Sequence, residues 1–403
     1  MKRVVRIIGI CLCIGGLVDV AMSAEPEGTR AYFENGMEWP DNNGRHINAH
    51  GGGVLYQNST YYWYGSHRVA KKTVEIDGQP VHVTDSLDGV DPWGAVHCFS
   101  SKDLYNWTDE GVVLHYSGDA ASPFVLGCKL ERAKVIYNRK TGKYVMWFHH
   151  ELKGQAYAAA LVGVATADNA TGSFRYVRSF RINAGRKPIN MTPDLEEDLN
   201  NPLDPDFTRI GFEASSRWQY WADTPKFGRD FKHGQMSRDQ TVYMDDDGQA
   251  YHVTSSEGNR TIHISRLTDD YLGLTGEFYR FVPPSNCEAP AVCKYKGKYY
   301  LLMSGTSGWR SNAARYAVAD NMMGPWTYIG NPCVGEGADI TYDGQSTFLL
   351  PVKGKQGAFI AMFDRWNSDA LQNSQYLWLP VDFDGDRMVI GYHEQWDLSV
   401  FDK

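Results

Sequence analysis

Apolar and polar positions along this chain fall into a unit that recurs five times, seen most plainly from Asn286 to Ser304, NCEAPAVCKYKGKYYLLMS. An acid, Glu288, stands at the mouth of an apolar run, a Lys-Gly turn follows, and an aromatic-apolar run returns. Two such runs around a short polar turn predict a β-hairpin. The other copies start at Asn48 (NAHGGGVLYQNSTYYWYGS), Glu131 (ERAKVIYNRKTGKYVMWFHH), Arg238 (RDQTVYMDDDGQAYHVTSS) and Gly344 (GQSTFLLPVKGKQGAFIAMF). Each is followed by a second strand-turn-strand segment, as VHCFSSKDLYNWTDEGVVL at Val96 to Leu114 follows the first. Four strands per unit and five units predict an all-β fold, a five-bladed β-propeller.

The register supports this reading. From the residue that opens each unit to the aromatic of its return strand the count is 12 (His50 to Tyr62), 13 (Glu131 to Tyr144), 12 (Asp239 to Tyr251), 12 (Glu288 to Tyr300) and 14 (Gln345 to Phe359). The opening residues are therefore equivalent positions. Innermost strands line a propeller's channel, so these five side chains are expected to face one another. Two insertions interrupt the repeat. Val69 to Trp93 reads as a charged, loop-like segment, and Arg186 to Gln235, rich in Pro and Asp, carries a Trp218-Gln219-Tyr220-Trp221 cluster. Long loops serve as lids or pack on a domain's flank, and both readings stand for these two.

Composition sharpens the class. A length of 403 residues is long for one ordinary domain and reasonable for a closed β repeat, so residues 25–403 read as a single catalytic propeller domain. The 24 Tyr, 17 Phe and 12 Trp suit aromatic strands, and packing accounts for most of them, while a few are available as stacking platforms for sugars. A net charge of -8 argues against nucleic acid or an anionic membrane surface as partner. Residues 1–24 combine basic Lys2, Arg3 and Arg6 with an apolar run and an Ala21-Met22-Ser23 cleavage-like site, the pattern of a secretory signal peptide. The protein is thus expected to be exported, periplasmic or extracellular, with no membrane span, and monomeric. Five cysteines remain beyond that segment, an odd number without CxxC spacing, which leaves one or more unpaired and disfavours zinc.

Three carboxylates converging on one pocket repel one another unless donors or protons separate their pKa values, which is what acid/base chemistry requires. Glu288, flanked by Cys287, Ala289 and Pro290, is the candidate general acid, because an apolar setting keeps a carboxyl protonated. Asp239 follows Arg238 and is expected to stay ionised and support the acid. Glu131, followed by Arg132, is either a sugar contact or half of a structural ion pair. His50 precedes three glycines, which more simply allow close backbone approach than mark a metal site. No HExxH, GxSxG or phosphate-binding loop is present. No cofactor is expected to be required, although a structural calcium ion at the propeller axis is compatible with the pattern.

The motifs NAHGGGVL with YYWYG, LERAKVIYN with GKYVMWFH, AALVGVATA, SRDQTVYMDDDG, CEAPAVCKYKGKYYLLMSGTSGW and GQSTFLLP with DRW and YLWLP resemble glycoside hydrolase family 43, and most of all its exo-β-1,3-galactanase and galactosidase-like branch. The resemblance implies a five-bladed propeller with inverting chemistry. It implies that Glu288 is the general acid, Asp239 the group that tunes and orients it, and Gln345 the candidate base or water-positioning group. It further implies sugar contacts at Glu131, Tyr157 and Thr306, with His50, Asn48 and Trp309 as further candidates. Most of the family carries an aspartate base on the first blade's inner strand, where this chain has only Asn48 and His50, and the galactanase-like YWFGE reads here Tyr64-Gly65-Ser66. The expected function is an exo-acting hydrolase of terminal galactose-type residues in a polysaccharide. The alternatives are a galactofuranosidase or arabinofuranosidase of the same fold, or a non-catalytic carbohydrate-binding propeller.

Overall fold

The computed structural model describes residues 29–402, apart from 70, 77–78, 85–94, 120 and 201–226. The five expected hairpins are present, and each extends into a four-stranded antiparallel sheet whose strands follow in chain order. The first blade is His50–Gln57, Thr60–Ser66, Val96–Ser101 and Thr108–Leu114, and the second is Lys129–Asn138, Lys143–Glu151, Leu161–Ala167 and Arg175–Phe180. The third is Gln240–Met244, Ala250–Ser256, Thr261–Leu267 and Leu274–Phe281, and the fourth is Glu288–Tyr295, Lys298–Ser304, Arg315–Ala319 and Thr327–Gly330. The fifth, Gln345–Pro351, Phe359–Arg365, Gln375–Asp384 and Arg387–Gly391, gains an outer parallel strand at Cys333–Val334. The first strands of successive blades touch, and that of the fifth meets that of the first, so the ring closes as a five-bladed propeller.

Apolar residues alternate along the strands and are buried between blades, giving one apolar layer per blade junction. The junction of the fifth and first blades is the most aromatic, with Trp39, Trp63, Trp107, Tyr376 and Trp378 packed together. Trp63 and Trp378 have ring centroids 4.9 Å apart, and Trp39 meets Trp378 edge-on at 5.1 Å. The segment before the first blade fastens this seam. Phe33–Glu34 pairs with Gln395–Trp396, and the Asn35 side chain brackets Trp378, donating to its carbonyl at 2.9 Å and accepting from its N–H at 2.8 Å.

The inner strands bulge immediately after their opening residue. The ladder slips between His50 and Gly53, between Glu131 and Lys134, and between Glu288 and Ala291. The residue after each opener, Gly51, Arg132 and Ala289, has φ of +61°, +57° and +56°. A bulge of this kind re-aims one side chain at the strand end while the rest of the strand keeps its pleat. The expected close approach at the glycines is real: a Cβ on Gly52 would lie 2.3 Å from the Tyr64 carbonyl oxygen.

The insertions differ from expectation in part. Val69 to Trp93 is not simply a loop, because Lys71–Ile76 pairs antiparallel with Gln79–Thr84. Its charges concealed an alternation of polar and β-branched residues around Asp77-Gly78, a hairpin-turn sequence. Within Arg186 to Gln235, helix Pro193–Asn200 and the one-turn helix Phe227–Asp230 place Leu195 and Phe227 against Phe278 of the third blade. The Trp218 to Trp221 cluster lies outside the described residues. The five cysteines Cys98, Cys128, Cys287, Cys293 and Cys333 are all buried free thiols. Among the described residues no helix is long and apolar enough to cross a membrane.

Candidate active site

At the mouth of the inner strands lies a cavity of about 460 Å³, and it gathers Glu288, Asp239, Gln345, Glu131, Tyr157, Thr306 and Trp309. Their chain separation is large, and only the equivalence of the strand openings brings them together. The bulges after Glu131 and Glu288 turn these two acids inward.

Both oxygens of Glu288 are held by amide donors. Gln345 Nε2 donates to Oε1 at 2.8 Å and Asn259 Nδ2 to Oε2 at 3.2 Å. Burial, and next the negative charge of Asp239, push its pKa up to about 8. Glu288 is therefore largely protonated at neutral pH and has a proton to give. Asp239 is fixed beside it, with Oδ2 accepting the Ala289 N–H at 3.1 Å. Its cationic partner is Arg132 at 2.8 Å, not the adjacent Arg238, whose guanidinium donates to the Tyr157 carbonyl at 3.0 Å. Successive residues of an extended chain point to opposite faces, which is why adjacency in sequence misleads here.

Arg132 also donates to Gln345 Oε1 at 2.6 Å and to the Ser346 carbonyl at 3.1 Å. The Gln345 oxygen accepts a second donor, Trp366 Nε1, at 2.8 Å, while its nitrogen also reaches Ser304 Oγ at 3.1 Å. Trp366 meets Trp309 edge-on at 5.2 Å, and Trp309 stands exposed at the rim.

Glu131 is bound on several sides and does not pair with Arg132. Its Oε1 accepts from Arg68 Nη2 and Tyr157 OH, both at 3.1 Å, and His149 Nδ1 lies 3.4 Å from Oε2. Burial alone would raise its pKa, but His149 and the charge of Arg68 outweigh this and hold the carboxyl well below the usual range. Burial likewise opposes charge on His149, yet Glu131 and Glu151, the latter 2.8 Å from Nε2, push its pKa up to about 9. An imidazolium thus sits between two carboxylates.

Two expected sugar contacts do not line the cavity. His50 is fully buried and stacks on Tyr376 with ring centroids 5.3 Å apart; burial and the charge of Arg68 push its pKa well down, so it is neutral. Asn48 instead clamps the Arg68 backbone, donating to its carbonyl at 2.6 Å and accepting its N–H at 2.9 Å, and so supports the arginine that holds Glu131.

Arg68, Arg132, His149, Asn259 and Trp366, to which the sequence reading gives no part in sugar chemistry, also line the cavity. A usable signal existed for His149, because the ladder partners of the opening residues are also equivalent. His50 faces Ser66, Glu131 faces His149, Glu288 faces Ser304, and Gln345 faces Asp364. Counting the end of the return strand as well as its start would have marked a second ring.

The residues present do not fit a cation in this ring. Glu131, His149 and Asp239 bring ligand atoms within 4.8 Å of one another, but Arg68 and Arg132 already occupy the carboxylates and His149 carries a proton between two acids. Lys134, buried on the same inner strand, donates to the Gly51 carbonyl at 2.8 Å, and burial and next the charge of Arg132 push its pKa well down.

The family model for glycosyl hydrolases family 43 matches residues 212–361. A comparison with curated proteins finds no match. Among solved structures, a family 43 β-1,3-galactosidase solved with galactodeoxynojirimycin is 43% identical with a TM-score of 0.78, over 91% of this chain and 100% of that one. An exo-β-1,3-galactanase from Clostridium thermocellum is 30% identical with a TM-score of 0.67, over 90% of this chain and 66% of that one. The enzyme of that kind from Phanerochaete chrysosporium, solved with galactose, is 29% identical with a TM-score of 0.67, over 91% of this chain and 68% of that one. Propeller, pocket and likenesses together define a glycoside hydrolase. The chain belongs to glycosyl hydrolases family 43.

Proposed function

We propose that this enzyme is exported and removes terminal galactose-type residues from a β-1,3-linked galactan, acting from the chain end with inversion. One arrangement carries the reading: Glu288, whose pKa burial and the charge of Asp239 push up to about 8, faces a cavity whose rim offers an exposed tryptophan. Glu288 gives its proton to the glycosidic oxygen as the bond from that oxygen to the anomeric carbon breaks. Water adds to the opposite face of the sugar and its proton passes to a base, which restores the balance of charge. Asp239 keeps the acid's pKa high, and Arg132 holds Asp239 in place. Glu131, Tyr157, Thr306 and Trp309 bind the sugar, with Arg68 and His149 fixing Glu131. The named activities of the similar structures support the linkage, and the basic, apolar residues 1–24 support export.

A second reading, a galactofuranosidase or arabinofuranosidase, is favoured by one feature. Ser66 stands where the galactanase-like motif has a carboxylate, and its Oγ is turned to the Leu130 carbonyl at 3.2 Å. Aryl β-galactopyranoside, β-galactofuranoside and α-arabinofuranoside, assayed alongside β-1,3-galactan, separate the two. Release of galactose from galactan with inverted anomeric configuration supports the first reading; hydrolysis confined to a furanoside would overturn it.

A further inference from the structure

The side-chain amide of Gln345 has all four of its hydrogen-bonding positions occupied by protein. Its oxygen accepts from Arg132 Nη2 at 2.6 Å and Trp366 Nε1 at 2.8 Å, and its nitrogen donates to Glu288 Oε1 at 2.8 Å and Ser304 Oγ at 3.1 Å. Guanidinium and indole nitrogens are donors only. They dictate which end of the amide is which, because a flipped amide would set N–H against N–H at both contacts. Arg132 is shared with Asp239 and the Ser346 carbonyl. Trp366 follows strand Phe359–Arg365 and is wedged between the Trp309 ring and the Arg132 guanidinium, which lies 5.7 Å from its ring centroid.

We propose, building on the reading of Glu288 as general acid, that Trp366 is a positioning residue of the reaction: with Arg132 it locks the Gln345 amide so that nitrogen, not oxygen, faces the acid. The direction matters chemically. An N–H donor stabilises the carboxylate that Glu288 becomes once its proton has left, whereas a carbonyl oxygen there would accept the acid's O–H and hold the proton back.

Trp366→Phe keeps the ring and deletes the N–H. On an oligosaccharide the enzyme hydrolyses, kcat should fall about 10- to 100-fold with KM within about threefold of wild type. The basic limb of the kcat/KM profile should move to higher pH, because the donor that favours the carboxylate is no longer held in place. An aryl glycoside with a good leaving group, which needs less protonation, should lose far less. Trp366→His, which retains a ring N–H, should recover part of the loss. In a Gln345→Ala background Trp366→Phe should add no further loss. A wild-type rate and pH profile in Trp366→Phe, or an equal loss in both backgrounds, would overturn the proposal. Glu288→Gln in the same assay separates the layers. Full turnover there would sink the general-acid reading itself, while an inactive Glu288→Gln beside a normal Trp366→Phe would remove only the role of Trp366.

Discussion

Asp239 Oδ2 accepts the backbone N–H of Ala289 at 3.1 Å, the residue directly after Glu288, so the carboxylate and the acid it influences are tied through one peptide. Because the charge of Asp239 is among the causes of the high Glu288 pKa, Asp239→Asn should lower that pKa from about 8. The basic limb of kcat/KM should then move to lower pH, with kcat reduced at neutral pH because less of the acid keeps its proton. A pH-rate series on the variant checks this, and an unmoved basic limb would refute the coupling.

Glu288→Gln should cost hydrolysis about 10²- to 10⁴-fold, the usual worth of a general acid, with an unchanged fold by circular dichroism. The same substitution has a consequence for stability. The folded pKa of about 8 lies above the ordinary carboxyl value of 4.5, so the folded state binds more protons between those values and wild type loses stability as pH rises through the window. Glutamine does not titrate. The variant should therefore melt above wild type at pH 8 to 9 and gain progressively less towards pH 5, as calorimetry at several pH values would reveal.

The fold was legible because its signal is local and repeated: an opening polar residue, an apolar run, a turn and an aromatic return, as in Glu288 to Ser304. The inner ring was legible through the same count. What the count could not reach are partners across blades. Arg132 serves Asp239 of the next blade and Gln345 of the fifth, and nothing beside either residue announces it. Trp366 and Arg68 lie just past the ends of return strands, where the period-2 pattern has stopped. A histidine at a ring position looks chemical in the sequence, while its neighbours Tyr376 and Trp366 make His50 part of a buried aromatic cluster.

His149 provides a different pH test. Its pKa of about 9 lies above the ordinary value of 6.5, so its stabilising contribution is fully present below pH 6.5 and is lost as pH rises through 9. His149→Gln removes the cation between Glu131 and Glu151 and leaves two buried carboxylates facing each other. The expected loss is about 3 to 5 kcal/mol at pH 6, as for other broken buried ion pairs, shrinking above pH 9. KM should rise more than kcat falls, since His149 holds Glu131 and does not touch the acid. Denaturant unfolding at pH 6 and pH 10 gives the test, and equal losses at both would exclude a charge-based role.

The closure of the ring can be tested at Asn35, far from the chemistry. Its side chain accepts the Trp378 N–H and donates to the Trp378 carbonyl, and it also donates to the His393 carbonyl at 2.8 Å. Trp378 is fully buried, so water cannot readily replace these contacts. Asn35→Ala leaves a buried N–H without its partner and should cost about 1 to 3 kcal/mol for each group so orphaned. The seam it fastens also holds Trp39, Trp63 and Trp107, so loosening there frees the fifth blade from the first and exposes apolar area. Urea unfolding should show a lower midpoint, and hydrogen exchange should rise first at Trp378 and its strand neighbours while the Glu288 strand stays protected. Uniform acceleration across all five blades would instead mean that the ring opens only by global unfolding.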